Sequence, residues 1–326
     1  MKILVTGVAG QLGHDVMNEL YGRGYEGVGS DLKDTYSGIQ DGTPVTSMPY
    51  IPMDITDPAS VEQVLSSVRP DAVVHCAAWT AVDLAEDADK QAIVKAVNAD
   101  GTQLLASACK KLDCKMVYLS TDYVFDGQGE APWQPDCKSY KPLNVYGETK
   151  LAGELAVSST LDKYFIVRIA WVFGKNGKNF IKTMLNLGKT HDTLRIVSDQ
   201  IGTPTYTFDL ARLLVDMVAT EKYGYYHATN GELSDARGAY TPEGCKTGYI
   251  SWYDFTREIF RQAAALGHPE YAKVNLVPVT TEEYGVSKAK RPFNSRLDKS
   301  KLEAAGFTPL PDWQDALRRY LLELEF

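Results

Sequence analysis

Cysteine is scarce in this sequence, and no two cysteines have the spacing of a redox or zinc motif. The chain has five, Cys76, Cys109, Cys114, Cys137 and Cys245, an odd number without a CxxC pair. We therefore expect neither a disulfide framework nor a zinc site. Unpaired thiols are typical of a reducing compartment, and we predict a cytoplasmic location.

Long apolar runs and basic runs are also missing. No stretch approaches the roughly 20 apolar residues that cross a bilayer. The first residues, MKILVTGVAG, form too short an apolar run for a signal peptide. The formal net charge of the 326 residues is −8, with no cluster of lysines and arginines. We therefore expect neither a membrane nor a nucleic-acid partner.

Short β-branched runs alternate with longer helical patterns through the first half of the chain. Strands are predicted over 2–6, 26–30, 72–78, 115–121 and 165–171, and helices directly after the first strand and over 58–67, 89–110 and 145–159. Apolar strands separated by helices are typical of a parallel sheet covered on both faces. The fold class predicted is α/β, with a Rossmann-type doubly wound parallel sheet.

The pattern is less regular after residue 171. Helices are predicted near 178–188, over DLARLLVDMVA and at the C-terminal end, with a strand over 224–229 and an extended loop over 230–250. We interpret this half as a smaller, discontinuous C-terminal lobe. The predicted division gives 1–177 and 206–230 to a Rossmann domain, and 178–205 and 231–326 to a substrate lobe.

A glycine-rich loop follows the first strand. Gly7, Gly10 and Gly13 form GVAGQLG, which also contains Gln11 and Leu12. The first glycine permits a tight turn, the second allows the backbone to approach a pyrophosphate, and the third allows close packing of helix on strand. The spacing is GxxGxxG, not GxGxxG. A glycine-rich turn in an unrelated α/β protein is the alternative.

Two aspartates follow later strands and could contact a dinucleotide. Asp31 ends the second strand, where a carboxylate can accept hydrogen bonds from a ribose diol and disfavours a ribose phosphate. Nearby Lys33 would soften that preference. Asp54, followed by Ile55, comes after a third strand and could reach the adenine; an Asx turn before a helix is the competing interpretation.

The candidate catalytic residues are Thr121, Tyr146 and Lys150. Thr121 ends a strand, and ligands bind at the carboxyl ends of parallel strands. Tyr146 and Lys150 are four residues apart in NVYGETKLAGE, so a helix would place them on one face. A tyrosine has a pKa of about 10, and a nearby ammonium would favour its phenolate. The pattern therefore indicates proton transfer at an oxygen that Thr121 orients.

The chain also contains a second YxxxK. Tyr284 and Lys288 stand in YGVSK, without a preceding strand that ends in Ser-Thr. We interpret this copy as a loop or a solvated helix face. The order of glycine loop, Ser-Thr strand end, tyrosine and lysine is what distinguishes Tyr146.

Several motifs together resemble one family. They are GVAGQLG, AAWTAVDLAE, STDYVFDG, YGETKLAGE, DQIGTPTYTFDLA and RPFNSRLDKSKL, spread over nearly all the chain. The sequence resembles the dTDP-4-dehydrorhamnose reductases, which are extended short-chain dehydrogenases/reductases of rhamnose biosynthesis. The resemblance implies hydride transfer from NADPH or NADH to the C4 ketone of dTDP-4-dehydro-L-rhamnose, giving dTDP-L-rhamnose, with Tyr146 as proton donor.

The resemblance also implies further site residues. Ala77, Ala78 and Thr80 would lie beside the cofactor, and Lys150 would hold the nicotinamide ribose. Asn98 stands where the superfamily often has a structural asparagine. By resemblance, Val82, Tyr123 and Trp171 line the sugar site beside Thr121. The diphosphate of a nucleotide sugar needs polar or cationic donors, and the sequence offers Gln200, Arg291 and Asn294 for it. Magnesium is possible by resemblance, but no compact carboxylate set is visible, and Glu86, Asp87 and Asp89 are interpreted as a solvated acidic turn.

Alternatives remain open at this point. Another nucleotide-sugar epimerase or reductase, or a dehydratase, would share the fold, although Asp122 is followed by Tyr123 where a dehydratase would carry Asp-Glu. The regulatory subunit of methionine adenosyltransferase also resembles these reductases and acts by binding a partner.

The chain is longer than we expect of this family, with extra residues near 33–47, 231–250 and 280–290. These segments could reshape the pocket mouth or a dimer interface. A monomer and a homodimer are both compatible with the sequence.

Overall fold

A seven-stranded parallel sheet forms the centre of the computed structural model, which describes residues 1–231 and 248–324. Its strand order is β11-β6-β5-β4-β1-β2-β3. The strands of this sheet and of three small two-stranded sheets are, in chain order, β1 Lys2–Thr6, β2 Glu26–Asp31, β3 Tyr50–Pro52, β4 Ala72–His75, β5 Lys115–Thr121, β6 Tyr164–Ile169, β7 Val172–Phe173, β8 Thr193–Val197, β9 Ile201–Gly202, β10 Thr205–Tyr206, β11 Gly224–His227, β12 Ile250–Ser251 and β13 Asn275–Val279. The predicted α/β class with a parallel sheet is confirmed.

Helices connect the strands and cover both faces of the sheet. In chain order they are α1 Gln11–Gly22, α2 Pro58–Val68, α3 Gln91–Lys95, α4 Gly101–Leu112, α5 Val145–Thr160, α6 Phe180–Gly188, α7 Thr207–Val218, α8 Trp252–Ala265, α9 Thr281–Tyr284, α10 Ser300–Ala304 and α11 Trp313–Glu323. Apolar side chains repeat at helical spacing where a helix meets the sheet. In α1, Leu12, Val16, Met17 and Leu20 are all buried.

Two predicted elements differ from the structure. The helix expected over 89–110 is divided, because a π-helical turn, Ala96–Asp100, separates α3 from α4. The strand expected over 165–171 ends at Ile169, and Trp171 adopts a positive φ of 51°. A bulky residue in this region of backbone space is uncommon and is strained. Both departures border the cavities described below.

The strand order places a topological switch between β1 and β4. From β1 the chain runs outward through β2 and β3, then crosses back to β4, β5 and β6. The loops after β1 and β4 therefore leave the sheet in opposite directions, and ligands bind in the crevice that forms there. The two loops touch, since a Cβ on Gly7 would lie 2.6 Å from the backbone nitrogen of Ala77.

Separate apolar cores cover the two faces of the sheet, and a further core lies beyond it. The first two contain the buried strand residues, such as Val5 and Leu4. The further core gathers Phe173, Ile181, Ile259 and Trp313 with their neighbours. Residues 302, 307 and 310 pack with the first sheet core. The division of the chain given above remains a prediction, and most of the predicted 230–250 loop lies outside the described residues.

Candidate active site

The glycine loop packs so closely that side chains would not fit. Gly7 has a φ of 70°, which favours glycine. A Cβ on Gly13 would collide with the carbonyl of Gly7, so this glycine allows α1 to start directly against β1. Gly10 precedes α1 and provides no side-chain cap for the first helical turn. The backbone N–H groups of that turn are therefore suited to an anion, as a dinucleotide pyrophosphate requires.

A cavity of about 380 Å³ opens between this loop and the ends of β2 and β4. Seven predicted cofactor residues line it, namely Gly7, Gly10, Asp31, Asp54, Ile55, Ala77 and Ala78. Asp31 accepts hydrogen bonds from the backbone N–H groups of Ala9 (3.0 Å) and Leu32 (2.8 Å). Asp54 forms the Asx turn that was the competing interpretation, since its Oδ1 accepts from the Thr56 N–H at 2.8 Å. No lysine or arginine is among the described residues that line this cavity.

A larger cavity of about 910 Å³ lies on the other side of the glycine loop. Gly7, Gly10, Cys76 and Ala78 line both cavities. The remaining predicted cofactor residues Gln11, Leu12, Gly13 and Thr80 line the larger one. Thr121, Tyr146 and Lys150 lie along the same wall, so the three candidate catalytic residues share one cavity with the glycine loop.

Two neighbouring segments fix the start of α5, which carries Tyr146 and Lys150. The Asn144 side chain accepts a hydrogen bond from the Gly147 N–H at 2.8 Å and caps the helix. Glu86 accepts from the Val145 N–H at 2.8 Å, so it is not simply part of a solvated acidic turn. A carboxylate at this helix end is also stabilised by the helix dipole. A Cβ on Gly153 would collide with Tyr118, so glycine there allows α5 to approach β5.

Asn98 lies in the π-helical turn and connects two segments near the cavity. Its Oδ1 accepts from the Trp79 N–H at 2.8 Å, and its Nδ2 donates to Thr149 Oγ1 at 3.2 Å. The side chain thus ties the segment after β4 to α5. The resemblance implies this structural position for it.

Lys150 is buried beside an aromatic ring. Its Nζ lies 4.2 Å from the centroid of the Tyr118 ring, and only 3% of the residue is exposed. Burial lowers the pKa of Lys150 to about 7, while the carboxylate of Glu154 opposes that shift. An ammonium at this position would stabilise a nearby phenolate or hold a ribose hydroxyl.

Burial and a neighbouring carboxylate keep Tyr146 protonated. Burial, followed by the charge of Asp122, raises the pKa of the Tyr146 phenol above its ordinary value, and a hydrogen bond with Thr121 opposes the rise. The phenol therefore retains a proton that it could give to an oxygen in the cavity.

Sequence reasoning missed Asp122 as a member of this group. Thr121 Oγ1 donates to Asp122 Oδ1 at 2.9 Å and accepts from the Tyr123 N–H at 3.3 Å. Burial raises the pKa of the Asp122 carboxyl to about 6, although hydrogen bonds with Ser295 and Thr121 oppose the shift. Its place directly after Thr121 was the only signal that could have found it.

The predicted substrate residues divide into two groups. Val82, Tyr123, Trp171, Gln200 and Arg291 line the larger cavity, as Thr121 does. Asn294 is not among the lining residues and is 1% exposed. Its Nδ2 donates to the Ala131 carbonyl at 2.9 Å, and its Oδ1 accepts from the Arg296 N–H at 3.2 Å. The structure thus turns Asn294 away from the cavity, because its amide links two loops.

Two of the cavity residues already have partners within the chain. The guanidinium of Arg291 contacts both carboxylate oxygens of Asp83, at 3.2 and 2.8 Å. Gln200 accepts from the Trp252 Nε1–H at 3.2 Å and donates to Thr281 Oγ1 at 3.0 Å. Gln200 therefore supports the cavity wall as well as lining it.

The far wall of the cavity comes from segments that sequence motifs did not mark. It includes Phe180, Arg195, Trp252, Phe255 and Thr281. The rings of Trp171 and Trp252 stack with centroids 3.7 Å apart. These residues have no fixed spacing from the glycine loop or from Tyr146, so only the tertiary structure brings them together.

The second YxxxK reaches the rim of the same cavity. Tyr284 ends α9, is 40% exposed and lines the cavity. Lys288 pairs with Asp87 at 2.7 Å. The interpretation of this copy as a loop or a solvated helix face therefore leaves out that Tyr284 lines the cavity.

Within residues 1–231 and 248–324, no group of three or more His, Cys, Asp or Glu side chains could hold a metal ion. The same part of the chain contains no helix long and apolar enough to cross a membrane.

Comparisons with known proteins place the chain in a family. The RmlD substrate binding domain matches residues 1–326. The dTDP-4-dehydrorhamnose reductase of Escherichia coli (strain K12) is 36% identical over 99% of this chain and 98% of that protein. The spore coat polysaccharide biosynthesis protein SpsK of Bacillus subtilis (strain 168) is 35% identical over 99% of this chain and 97% of that protein.

Solved structures agree with this assignment. The dTDP-4-dehydrorhamnose reductase from Bacillus anthracis str. Ames, in complex with NADP, superposes with a TM-score of 0.81 at 36% identity, covering 99% of each chain. The predicted family resemblance is confirmed. This chain belongs to the RmlD substrate binding domain family.

Proposed function

We propose that this chain reduces the C4 ketone of dTDP-4-dehydro-L-rhamnose to the alcohol of dTDP-L-rhamnose. The observation that carries the proposal is that the glycine loop, Thr121, Tyr146 and Lys150 line one cavity. A nicotinamide cofactor would supply the hydride. The names of the relatives support the substrate, and the NADP in the Bacillus anthracis structure supports the cofactor class.

The proposed roles follow from the chemistry of each group. Tyr146 donates a proton to the C4 oxygen, since burial and the charge of Asp122 raise the pKa of its phenol and favour the protonated form. Thr121 orients that oxygen, and Lys150 stabilises the phenolate that forms and holds the nicotinamide ribose. Val82, Tyr123 and Trp171 surround the sugar. A cytoplasmic location, and the division into a Rossmann domain and a substrate lobe, belong to the same proposal.

The test is turnover of purified protein with dTDP-4-dehydrorhamnose and either NADH or NADPH, followed by identification of the product. Tyr146→Phe keeps the ring and removes the proton donor. We expect turnover to fall on the order of a hundredfold or more, the range that general acid catalysis supplies. Cofactor affinity, measured by fluorescence titration, should stay within about twofold, because the ring still fills the same space.

Tyr284→Phe is the matched control, since Tyr284 lines the same cavity but lies at its rim. It should keep turnover within a few-fold of the wild type. Equal losses in both variants would remove the assignment of Tyr146. A wild type that binds nicotinamide but reduces no nucleotide sugar would favour the regulatory-subunit alternative.

A further inference from the structure

The larger cavity carries more positive charge than its carboxylates neutralise. The cations among its described lining residues are Lys150, Lys178, Arg195 and Arg291. The two carboxylates are Asp83, which pairs with Arg291, and Asp122, which is bonded to Thr121. Arg291 is therefore already compensated, and its planar fork is occupied by a carboxylate of matching shape. An anionic ligand gains less from such a cation than from one without a counter-charge.

Within the described residues, Lys178 and Arg195 both meet that second condition, since no ion pair includes either. Of the two, Arg195 carries the planar fork that matches a phosphate. It lies on β8, and its Nη2 donates to the backbone carbonyl of Glu283 at 2.9 Å. A carbonyl orients the guanidinium without neutralising it. No ion pair of Arg195 occurs within the residues that the structure describes, and the residue is exposed and lines the cavity. A guanidinium has five N–H donors, so the contact with Glu283 leaves others for a ligand.

Arg195 lies on the far wall of the cavity, together with Phe180 and Trp252. Its neighbour Ile196 belongs to the core beyond the sheet, as do Trp252 and Phe180, whose rings lie 4.4 Å apart. Thr121, Tyr146 and Lys150 line the cavity from other elements, β5 and α5. A ligand that reaches from Tyr146 to the far wall therefore enters the part of the cavity that Arg195 lines.

We propose that Arg195, rather than Arg291, is the main side-chain ligand of the substrate's diphosphate. This inference rests on the proposed function, which supplies a nucleoside diphosphate sugar as the substrate class. Arginine binds phosphate oxygens through two parallel N–H donors, which gives both strength and orientation. Arg291 instead links the segment that precedes it to Asp83. The Ala289 N–H donates a further hydrogen bond of 3.1 Å to the same carboxylate.

The experiment compares the binding of dTDP and of thymidine by calorimetry to protein saturated with NADPH. Arg195→Ala should weaken dTDP binding about ten- to a hundredfold, the range for a hydrogen bond to a charged group. Thymidine lacks the phosphates, so its affinity should change less than about twofold. Arg195→Lys keeps the charge without the fork and should restore part of the loss.

Arg291→Ala and Arg318→Ala are the controls. Arg318 is an exposed arginine of α11 that does not line the cavity, and its loss should leave both affinities unchanged. Arg291→Ala should weaken dTDP binding less than Arg195→Ala does. Thermal unfolding of each variant without ligand reports whether the fold is kept.

The outcomes separate this inference from the proposed function. The diphosphate assignment is wrong, and the proposed function stands, if wild type and Arg195→Ala bind dTDP equally well. The same conclusion follows if Arg195→Ala loses as much affinity for thymidine as for dTDP. If Arg291→Ala has the larger effect on dTDP, Arg291 is the ligand. If wild type binds neither dTDP nor thymidine, the proposed function fails together with the inference.

Discussion

The carboxylate of Asp31 is held in place by the chain itself, because backbone N–H groups of Ala9 and Leu32 bind its two oxygens. It therefore keeps its position at the end of β2, facing the smaller cavity. Asp54 adds a second carboxylate there, and no cation is among the described lining residues. Such a wall accepts the two hydroxyls of a ribose and repels a 2′-phosphate.

We predict that Asp31→Asn shifts cofactor preference towards NADPH. The variant keeps an oxygen that can accept the Ala9 N–H, but it removes the charge that repels a phosphate. The ratio of the dissociation constants for NADPH and NADH should fall by roughly tenfold, as expected for about 1.4 kcal/mol of relieved repulsion. Fluorescence titration with each nucleotide measures both constants without turnover.

Asp57→Asn supplies the control for this comparison. Asp57 caps α2 and does not line either cavity. It should leave the ratio unchanged. An unchanged ratio in Asp31→Asn as well would mean that Asp31 only shapes the loop.

At the scale of single residues, the sequence located one side of the site better than the other. Gly7, Thr121 and Tyr146 follow from local rules, since each depends on a strand end or on spacing within a helix. Arg195 and Trp252 do not, because their role depends on packing between distant segments. Asn294 differs from both groups, because its amide bonds to neighbouring loops and the residue does not line the cavity. A role for it in substrate binding stays a prediction.

Helix α5 combines the catalytic residues with a buried ion pair. Tyr146, Lys150 and Glu154 follow each other at four-residue intervals, so they lie along one face. Glu154 receives hydrogen bonds from Nε and Nη2 of Arg168 on β6, both at 2.8 Å, and both residues are fully buried. The pair therefore joins the helix that carries Tyr146 to the strand that leads to Trp171.

We predict that Glu154→Ala destabilises the fold by about 3–5 kcal/mol, because it leaves the Arg168 charge buried without a counter-charge. Denaturant unfolding, monitored by circular dichroism, measures the loss. The double variant Glu154→Leu with Arg168→Met removes both charges and should recover most of the stability.

Glu148→Ala serves as the matched control on the same helix. Glu148 is exposed in the first turn, so its loss should cost less than about 1 kcal/mol through the helix dipole alone. If Glu154→Ala costs no more than Glu148→Ala, the ion pair does not hold the helix in place.

The boundaries of helices and strands show where the local sequence pattern no longer predicts the structure. The apolar spacing from 89 to 110 reads as one helix, but the π-helical turn at Ala96–Asp100 divides it. Asn98 in that turn bonds to Trp79 and Thr149, partners that are distant in sequence. Turns of this type are often found at functional sites. Hydrophobic periodicity does not predict such π-helical turns.

For the whole molecule, the parallel sheet was predictable because strands such as β1, β4 and β6 are short apolar runs between helices. The core beyond the sheet was not. This core contains residues near 181, 259 and 317. Between 181 and 259 the chain passes through loops and returns to the central sheet at β11. The larger cavity lies against that core, so its extent was also beyond sequence reasoning.

The wall shared by the two cavities has a kinetic consequence. Gly7, Gly10 and Ala78 line both, so a dinucleotide on the glycine loop would pass from the smaller cavity into the larger one and complete the surface on which the sugar rests. We therefore expect compulsory order, with the nicotinamide nucleotide first. In initial-rate measurements, dTDP should inhibit competitively against the nucleotide sugar and uncompetitively against NADPH. A mixed pattern against NADPH would instead mean that dTDP binds before the nucleotide, and that the two cavities fill independently.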